Sequence, residues 1–178
     1  MPLTPLHPVG PWIPHVRWPR AFSFWAITIG SMVSDLEFLP LLLLSRTLEG
    51  SRGFMHSLLG VLTLNALITV LAVRSLVPPV LRWAGRRWPS SPEIFQFAGQ
   101  DVRKDPRDWL TLYTSATFGG LTHLLIDLPT HAYNPWLWPW QTVPFSILPF
   151  ADDPWWDILA GIPVLLALAW ILWRYWRR

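Results

Sequence analysis

Cysteine is absent from the 178-residue chain, which excludes disulfides, thiolate metal sites, iron–sulfur clusters and cysteine nucleophiles. Charge is also scarce: Asp, Glu, Lys and Arg make up 14% of the sequence, whereas soluble proteins average about 25%. A water-soluble globule of this length would need more charge to cover its surface. Intrinsic disorder is excluded as well, because it requires low hydrophobicity and high net charge. The composition therefore predicts an integral membrane protein.

Tryptophan and proline are abundant, with 14 and 19 residues respectively. Trp collects at membrane–water interfaces, where its ring lies among the headgroups. The Trp- and Pro-rich stretch at 135–140 is therefore predicted to be an interfacial loop. The basic residues are arginines except for Lys104, and no basic and aromatic surface pattern accompanies them. We expect membrane lipids, and no nucleic acid, as partners.

Four apolar runs predict an all-α, polytopic membrane protein with about four transmembrane helices, since one span needs about 20 residues. The predicted spans cover residues 22–34, 54–77, 109–128 and 155–173. Short interfacial or re-entrant pieces are expected at 36–44 and 81–88, and no cleavable signal peptide is visible. We interpret 1–178 as a single membrane domain, with a Pro-rich segment at 1–20, a cytoplasmic loop at 78–108 and a Trp- and Pro-rich far-side loop at 129–154.

The distribution of positive charge predicts the orientation. Lys and Arg cluster in the 78–108 loop and at the C-terminus, whereas the 129–154 loop has neither and contains Asp152 and Asp153. Cytoplasmic loops carry the excess of Lys and Arg in membrane proteins. Both termini are therefore predicted to face the cytoplasm, with residues 45–53 and 129–154 on the far side.

His123, Asp127 and His131 follow one another at intervals of four residues. Each such step advances by about 40° around a helix, so the three share one face near the far-side end of the third span. Histidine and aspartate on consecutive turns can hold one metal ion. Pro129 indicates that the helix ends or kinks before His131, so the direction of His131 is less well determined.

Two further segments place polar groups at the same predicted membrane depth. Asp35 and Glu37 end the first span, and His56 opens the second. Ionisable groups within a membrane cost about 2.5–3.5 kcal/mol each on insertion scales, so such a group of histidines and carboxylates requires pairing or a cation. Both a metal or proton-linked site and a structural polar network meet this requirement.

The motifs resemble those of a bacterial family of small membrane proteins of unknown function, similar to inner-membrane proteins of the YdjM/YbcI type. These relatives are regarded, by inference, as metal-dependent hydrolases. The resemblance rests on residues 4–7 (TPLH), 30–37 (GSMVSDLE), 55–60 (MHSLLG) and 120–131 (GLTHLLIDLPTH). Met55 stands where the family usually has Thr, and Ser34 where it often has Pro. The resemblance implies a multi-pass protein of the bacterial inner membrane, a second acid at Glu37, and metal ligands at His7, Asp35, His56, His123 and Asp127.

The favoured function is a membrane-embedded metal-dependent hydrolase acting on a phospholipid or another amphiphilic ester. Zinc is the first choice of metal because imidazole with carboxylate suits it, although Mn and Fe also fit. Asp35 or Glu37 is predicted to be the catalytic base that orients a water molecule. The candidate metal ligands are His7, Asp35, His56, His123, Asp127 and His131.

Two other functions are compatible with the sequence. A small Trp-rich membrane protein can be an accessory subunit that contacts lipid, pigment or a larger complex, and the polar cluster would then fix helix packing. A proton or metal-ion transporter is the third possibility. His7 poses a separate question, because it reaches the far face only if residues 8–20 enter the membrane and return.

Overall fold

The computed structural model describes residues 6–47, 49–87, 106–141 and 153–176. Within these ranges the chain is helical and contains no strand, which confirms the all-α class predicted from the sequence. Parts of the predicted loops, at 88–105 and 142–152, lie outside the described residues. The helices are α1 (Val9–Arg17), α2 (Phe24–Gly30), α3 (Phe38–Ser45), α4 (Leu58–Ser75), α5 (Val77–Arg87), α6 (Pro106–Asp127) and α7 (Pro154–Trp176).

Among the described residues, two helical stretches are long and apolar enough to cross a membrane, Phe24–Ser45 and Leu58–Ser75. A shorter apolar helix covers Gly161–Arg174 within α7. The 22 residues of α6 and the 23 of α7 extend for more than about 30 Å, the thickness of the hydrocarbon core. Their lengths agree with the predicted third and fourth spans. The crossing of the membrane by these two helices stays a prediction.

The first apolar stretch is divided by a tight 3₁₀ turn at Val33–Glu37. Ser23 caps α2 by accepting a hydrogen bond from the Ala26 N–H at 3.3 Å, and α2 ends at Gly30. The break lies near the predicted position, but a complete span at 22–34 is not confirmed, because α2 has only seven residues and the stretch long enough to cross a membrane is Phe24–Ser45 as a whole. The turn holds two carboxylates, Asp35 and Glu37, inside an otherwise apolar stretch.

The second apolar stretch begins its helix at Leu58, four residues later than predicted from hydropathy. Ser57 is the reason, because its hydroxyl accepts the Gly60 N–H at 2.9 Å and so caps the helix. A single π-helical turn at Val61–Asn65 follows; such turns are frequent at functional sites. The helix ends at Ser75, and α5 starts with two prolines in its first turn, where a missing N–H costs little. The short helix predicted at 81–88 therefore begins four residues earlier, at Val77.

Small residues allow α2 and α6 to pack closely. A Cβ atom added to Gly119 would lie 2.5 Å from the Ile27 carbonyl oxygen, and one added to Gly30 would lie 2.5 Å from that of Ala116. The Ser23 N–H donates to Ser115 Oγ at 2.9 Å. These contacts align the two helices in the same direction, so both end beside the 3₁₀ turn.

Within the Pro-rich N-terminal segment, Val9–Arg17 form helix α1. α1 packs against both α2 and α6: Trp12 Nε1 donates to Thr28 Oγ1 at 2.8 Å, and Gly10 lies against Ile126. Because α1 starts at the Asp127 end of α6 and α2 returns toward it, α1 and α2 form a hairpin. Residues 8–20 therefore run into the bundle, and α2 brings the chain back to the end at which α1 started.

Candidate metal centre

The end of α6 brings together side chains from four separate parts of the sequence. His123 and Asp127 lie on its last turns, with exposed fractions of 0% and 2%. The distance from His123 Nε2 to Asp127 Oδ2 is 3.3 Å. This spacing follows from the helix itself, because residues four apart lie one above the other. Asp127 is the last residue of α6, two positions before Pro129, so the predicted helix end is confirmed.

Asp35, in the first apolar stretch, and His56, at the start of the second, both approach His123 and Asp127. His56 Nε2 lies 3.5 Å from Asp35 Oδ1 and 4.0 Å from Asp127 Oδ2. His123 Nε2 lies 3.7 Å from Asp35 Oδ1. The predicted convergence of the three segments is therefore present in the fold. The four side chains direct two imidazole nitrogens and two carboxylate oxygens toward one small volume.

The other ring nitrogen of each central histidine is anchored. The Nδ1–H of His123 donates to the Ser31 carbonyl oxygen at 2.9 Å. The Nδ1–H of His56 donates to Glu37 Oε1 at 2.8 Å. Acceptors of this kind place the proton on Nδ1 and leave the Nε2 lone pair free on the side that faces the carboxylates. Metal-ligating histidines have this arrangement as a rule.

Glu37 is saturated with hydrogen bonds. Besides the imidazole, its carboxylate accepts backbone N–H groups from Gly53 at 2.8 Å, Met55 at 2.9 Å and His56 at 3.1 Å. The 3₁₀ turn that carries Glu37 thereby holds the turn that carries His56. Glu37 thus positions His56, and its oxygens face that turn rather than the common volume. Between the two predicted base candidates, the geometry favours Asp35.

His7 and His131 both lie on the other oxygen of Asp127. His7 Nε2 is 3.1 Å from Asp127 Oδ1, and its ring stacks on His123 with 4.3 Å between centroids. His131 Nδ1 is 3.5 Å from the same oxygen, but it is 2.8 Å from Thr130 Oγ1. His7 therefore reaches the cluster through the hairpin, and His131 lies at its edge.

Arg52, in the loop at 45–53 that was predicted to lie on the far side, is a further member of the cluster. Its side chain is buried, with 4% exposed, and Nη2 lies 2.9 Å from Asp127 Oδ2. An arginine in a far-side loop departs from the positive-inside rule. Arg46 in the same loop departs from it equally and is exposed, so this signal alone does not distinguish the buried residue.

The donor set fits a divalent metal ion. Asp35 Oδ1 and Oδ2, His56 Nε2 and His123 Nε2 are buried and make no hydrogen bond to the described residues. Asp127 Oδ2 is buried as well and is paired with Arg52. Tetrahedral zinc with bonds of about 2.0–2.2 Å places neighbouring ligand atoms about 3.3–3.5 Å apart, close to the observed spacings of 3.3–4.0 Å. Two groups have ligand atoms within 4.8 Å of one another: His56, His123 and Asp127, and His7, Asp35 and His123.

The comparisons with known proteins identify the family. The YdjM inner membrane protein family matches residues 9–178, so the chain belongs to that family. The resemblance stated from the motifs is thereby confirmed. Comparison with curated proteins and with solved structures finds no match.

Proposed function

We propose that this member of the YdjM inner membrane protein family is a metal-dependent hydrolase whose ion is held by His56, His123 and Asp127. The observation that supports this proposal is the convergence of buried acceptor atoms that make no hydrogen bonds. A network that only fixed helix packing would pair these atoms with donors, because an unpaired buried polar group costs about 1–3 kcal/mol. Here the histidine Nδ1 atoms are paired and the Nε2 atoms are not.

A bound divalent ion would supply Lewis acidity, which polarises the ester and favours ionisation of a water molecule near neutral pH. Two imidazoles and one carboxylate form a set of three protein ligands, the number that catalytic zinc sites use. Zinc is the first candidate, and Mn or Fe suits the same donors. His7 fixes Asp127 from the opposite side through Oδ1, so Oδ2, which also pairs with Arg52, is the oxygen that would face the ion.

Asp35 is the proposed general base. Its Oδ1 lies 3.5 Å from His56 Nε2 and 3.7 Å from His123 Nε2, so it borders the volume in which the three ligands would hold an ion and would be within reach of a water molecule there. Its side chain is 13% exposed, whereas the three proposed ligands are almost fully buried. Asp35 therefore lies on the side from which water and substrate can enter. It would accept a proton from the attacking water and return it to the leaving alcohol.

The surroundings of Asp35 favour an amphiphilic substrate. Leu36 is 60% exposed, and the leucines at the end of α3, Leu43 and Leu44, are 70% and 81% exposed. No residue of α3 is buried. In a membrane protein such a face lies against acyl chains, so the turn that holds Asp35 borders lipid. We propose that a phospholipid or other amphiphilic ester enters from this side.

The proposed topology keeps the site on the far face and the C-terminus in the cytoplasm. The predicted cytoplasmic N-terminus is not kept in this proposal, because the hairpin of α1 and α2 brings His7 to the same end of the bundle as the site. Leu6 and His7 would then lie on the far face. Since the natural chain has no cysteine, single cysteines can be labelled without background. Leu137→Cys and Leu6→Cys should react with an impermeant maleimide from the far side, and Trp83→Cys from the cytoplasm.

Hydrolysis by the purified protein tests the proposed function. The detergent-solubilised protein, stripped with a chelator and reloaded with zinc, should hydrolyse dispersed phospholipid or a chromogenic ester, and the stripped protein should not. His123→Ala should be inactive at any zinc concentration. Asp153→Asn is the control, because Asp153 is exposed and Asn caps a helix equally well. Equal turnover by stripped and reloaded protein would refute the proposal.

A further inference from the structure

We propose that Arg52 binds the substrate and that the scissile group is a phosphoryl ester rather than a carboxylic ester. This inference rests on the proposed function and narrows its substrate class. The observation behind it is a buried guanidinium at the edge of the proposed metal position. Its Nη2 is paired with Asp127 Oδ2, and its Nη1 is buried without a hydrogen bond to the described residues.

Arg52 borders the reacting volume through Asp127. Its Nη2 lies 2.9 Å from Asp127 Oδ2, the same oxygen that lies 3.3 Å from His123 Nε2 and 4.0 Å from His56 Nε2. A ligand bound to an ion among these atoms would therefore lie within reach of the guanidinium. The residue as a whole is only 6% exposed, so its charge acts where water does not screen it.

The contact with Asp127 accounts for the charge of Arg52 but not for its hydrogen-bonding capacity. Nη1 and Nη2 are both buried. Nη2 is engaged by Asp127 Oδ2 at 2.9 Å, whereas Nη1 makes no hydrogen bond to the described residues. A guanidinium presents these N–H groups as a planar fork, and the fork matches two oxygens of a phosphate or carboxylate anion. The carbonyl of a carboxylic ester offers one neutral oxygen, whereas a phosphoryl group offers at least two anionic ones.

The charge count of the site agrees with an anionic substrate. Asp35, Glu37 and Asp127 contribute three negative charges, Arg52 contributes one positive charge, and a divalent ion would contribute two. The sum is zero when the histidines are neutral, so a phosphoryl anion meets no net repulsion. Without Arg52 the loaded site would carry one negative charge and would repel the same anion.

The reaction balances without a redox partner. The oxygen of a water molecule forms a bond to phosphorus while one of its protons passes to the Asp35 carboxylate. The bond between phosphorus and the ester oxygen then breaks, and the electron pair stays on the leaving oxygen. That oxygen takes the proton from Asp35, which gives an alcohol and a phosphate or phosphomonoester. Arg52 holds the non-bridging oxygens while the charge on them increases.

Binding of inorganic phosphate tests the role of Arg52 separately from turnover. Zinc-loaded protein is titrated with inorganic phosphate by calorimetry, for the natural chain, Arg52→Lys, Arg52→Gln and the control Arg46→Gln, with zinc content measured in each. Arg46 is an exposed residue near the end of α3. Arg52→Lys keeps the charge beside Asp127 but lacks the fork, so we expect full zinc content and a loss of phosphate affinity of about tenfold or more. Arg46→Gln should equal the natural chain.

Two substrate series distinguish the source of the phosphoryl group. Phosphatidic acid in mixed micelles represents a lipid headgroup, p-nitrophenyl phosphate represents a soluble phosphomonoester, and p-nitrophenyl butyrate represents a carboxylic ester. We expect Arg52→Lys to reduce turnover of one or both phosphoryl substrates and to leave the carboxylic ester at its background rate. The substrate that the natural chain turns over faster identifies the source.

Several outcomes would overturn the inference. Phosphate binding that is unchanged in zinc-loaded Arg52→Lys would show that Arg52 only positions Asp127. Faster turnover of the butyrate than of both phosphoryl substrates would show that the scissile group is a carboxylic ester. A failure of the proposed function looks different, because the natural chain would then bind no zinc. If Arg52→Gln does not fold, Arg52→Lys decides the question.

Discussion

An arginine lies beside each end of α6, and the two arginines have opposite surroundings. At the Trp109 end, Arg74 lies over the indole ring at 3.9 Å, and Trp109 is 46% exposed. At the Asp127 end, Arg52 is buried against the Asp127 carboxylate. Histidines surround that carboxylate. Close contacts between α2 and α6 lie between these ends, at Gly30 and Gly119. The comparison shows that packing holds the bundle from its middle, so the polar end is available for chemistry. The following predictions test this separation, from the largest expected effect to the smallest.

Asp35→Asn should abolish turnover and leave the fold and the metal in place. Asparagine has nearly the same size and retains part of the hydrogen bonding, but it cannot accept a proton at neutral pH. Loss of a general base costs about 10²–10⁴-fold in rate. The measurement is ester hydrolysis together with zinc content and melting temperature. Loss of zinc in Asp35→Asn would assign Asp35 as a ligand instead.

Glu37→Gln should weaken the metal site without touching the ion directly. The amide oxygen replaces only part of the acceptor capacity that Glu37 offers to His56 and the backbone of its turn. Changes to groups that orient metal-ligating histidines cost about 10–100-fold in metal affinity. Competition with a zinc indicator measures the change. An affinity equal to that of the natural chain would show that Glu37 does not position His56.

Gly119→Ala should destabilise the bundle and leave the zinc affinity of the folded fraction unchanged. The added Cβ would lie 2.5 Å from the Ile27 carbonyl oxygen, and backbone cannot yield as a side chain can. Overpacking of this kind costs about 1–3 kcal/mol. Gly10→Ala is the matched control, because its Cβ would meet the end of the Ile126 side chain at 3.0 Å, which can rotate. Equal melting temperatures of the two variants would contradict the prediction.

Arg74→Gln should have the smallest effect. It removes the contact over Trp109, which at a partly exposed position is worth about 0.5–1 kcal/mol. Zinc content and turnover should equal those of the natural chain, since Arg74 lies at the opposite end of the bundle. A loss of zinc in Arg74→Gln would break the proposed separation between the two ends of α6.

Short-range sequence patterns were sufficient to predict much of the site. Hydropathy located the apolar stretches, the spacing of His123 and Asp127 placed both on one helical face, and Pro129 marked the helix end. Convergence of His56 and Asp35 on that end followed from topology, because successive spans alternate in direction. These features depend on a few neighbouring residues or on the membrane itself.

The remaining features depend on contacts between distant residues. The hairpin that brings His7 to Asp127 is set by the packing of α1 against α2 and α6, which hydropathy does not encode. Glu37 and Asp35 looked equivalent in the sequence, and only the fold shows that backbone N–H groups saturate one of them. The burial of Arg52 against Asp127 is likewise visible only in the fold.

Zinc content of the purified protein tests the central claim most directly. Natural chain, His123→Ala, Asp127→Ala and Arg74→Gln are prepared in zinc-replete medium, and bound metal is measured beside the melting temperature. The two site variants keep their helix, because Ala is a better helix former than His or Asp. The account predicts about one ion per chain in the natural protein and Arg74→Gln, and almost none in the site variants. A natural chain without metal, with site variants that only melt earlier, would contradict it and support a structural polar network.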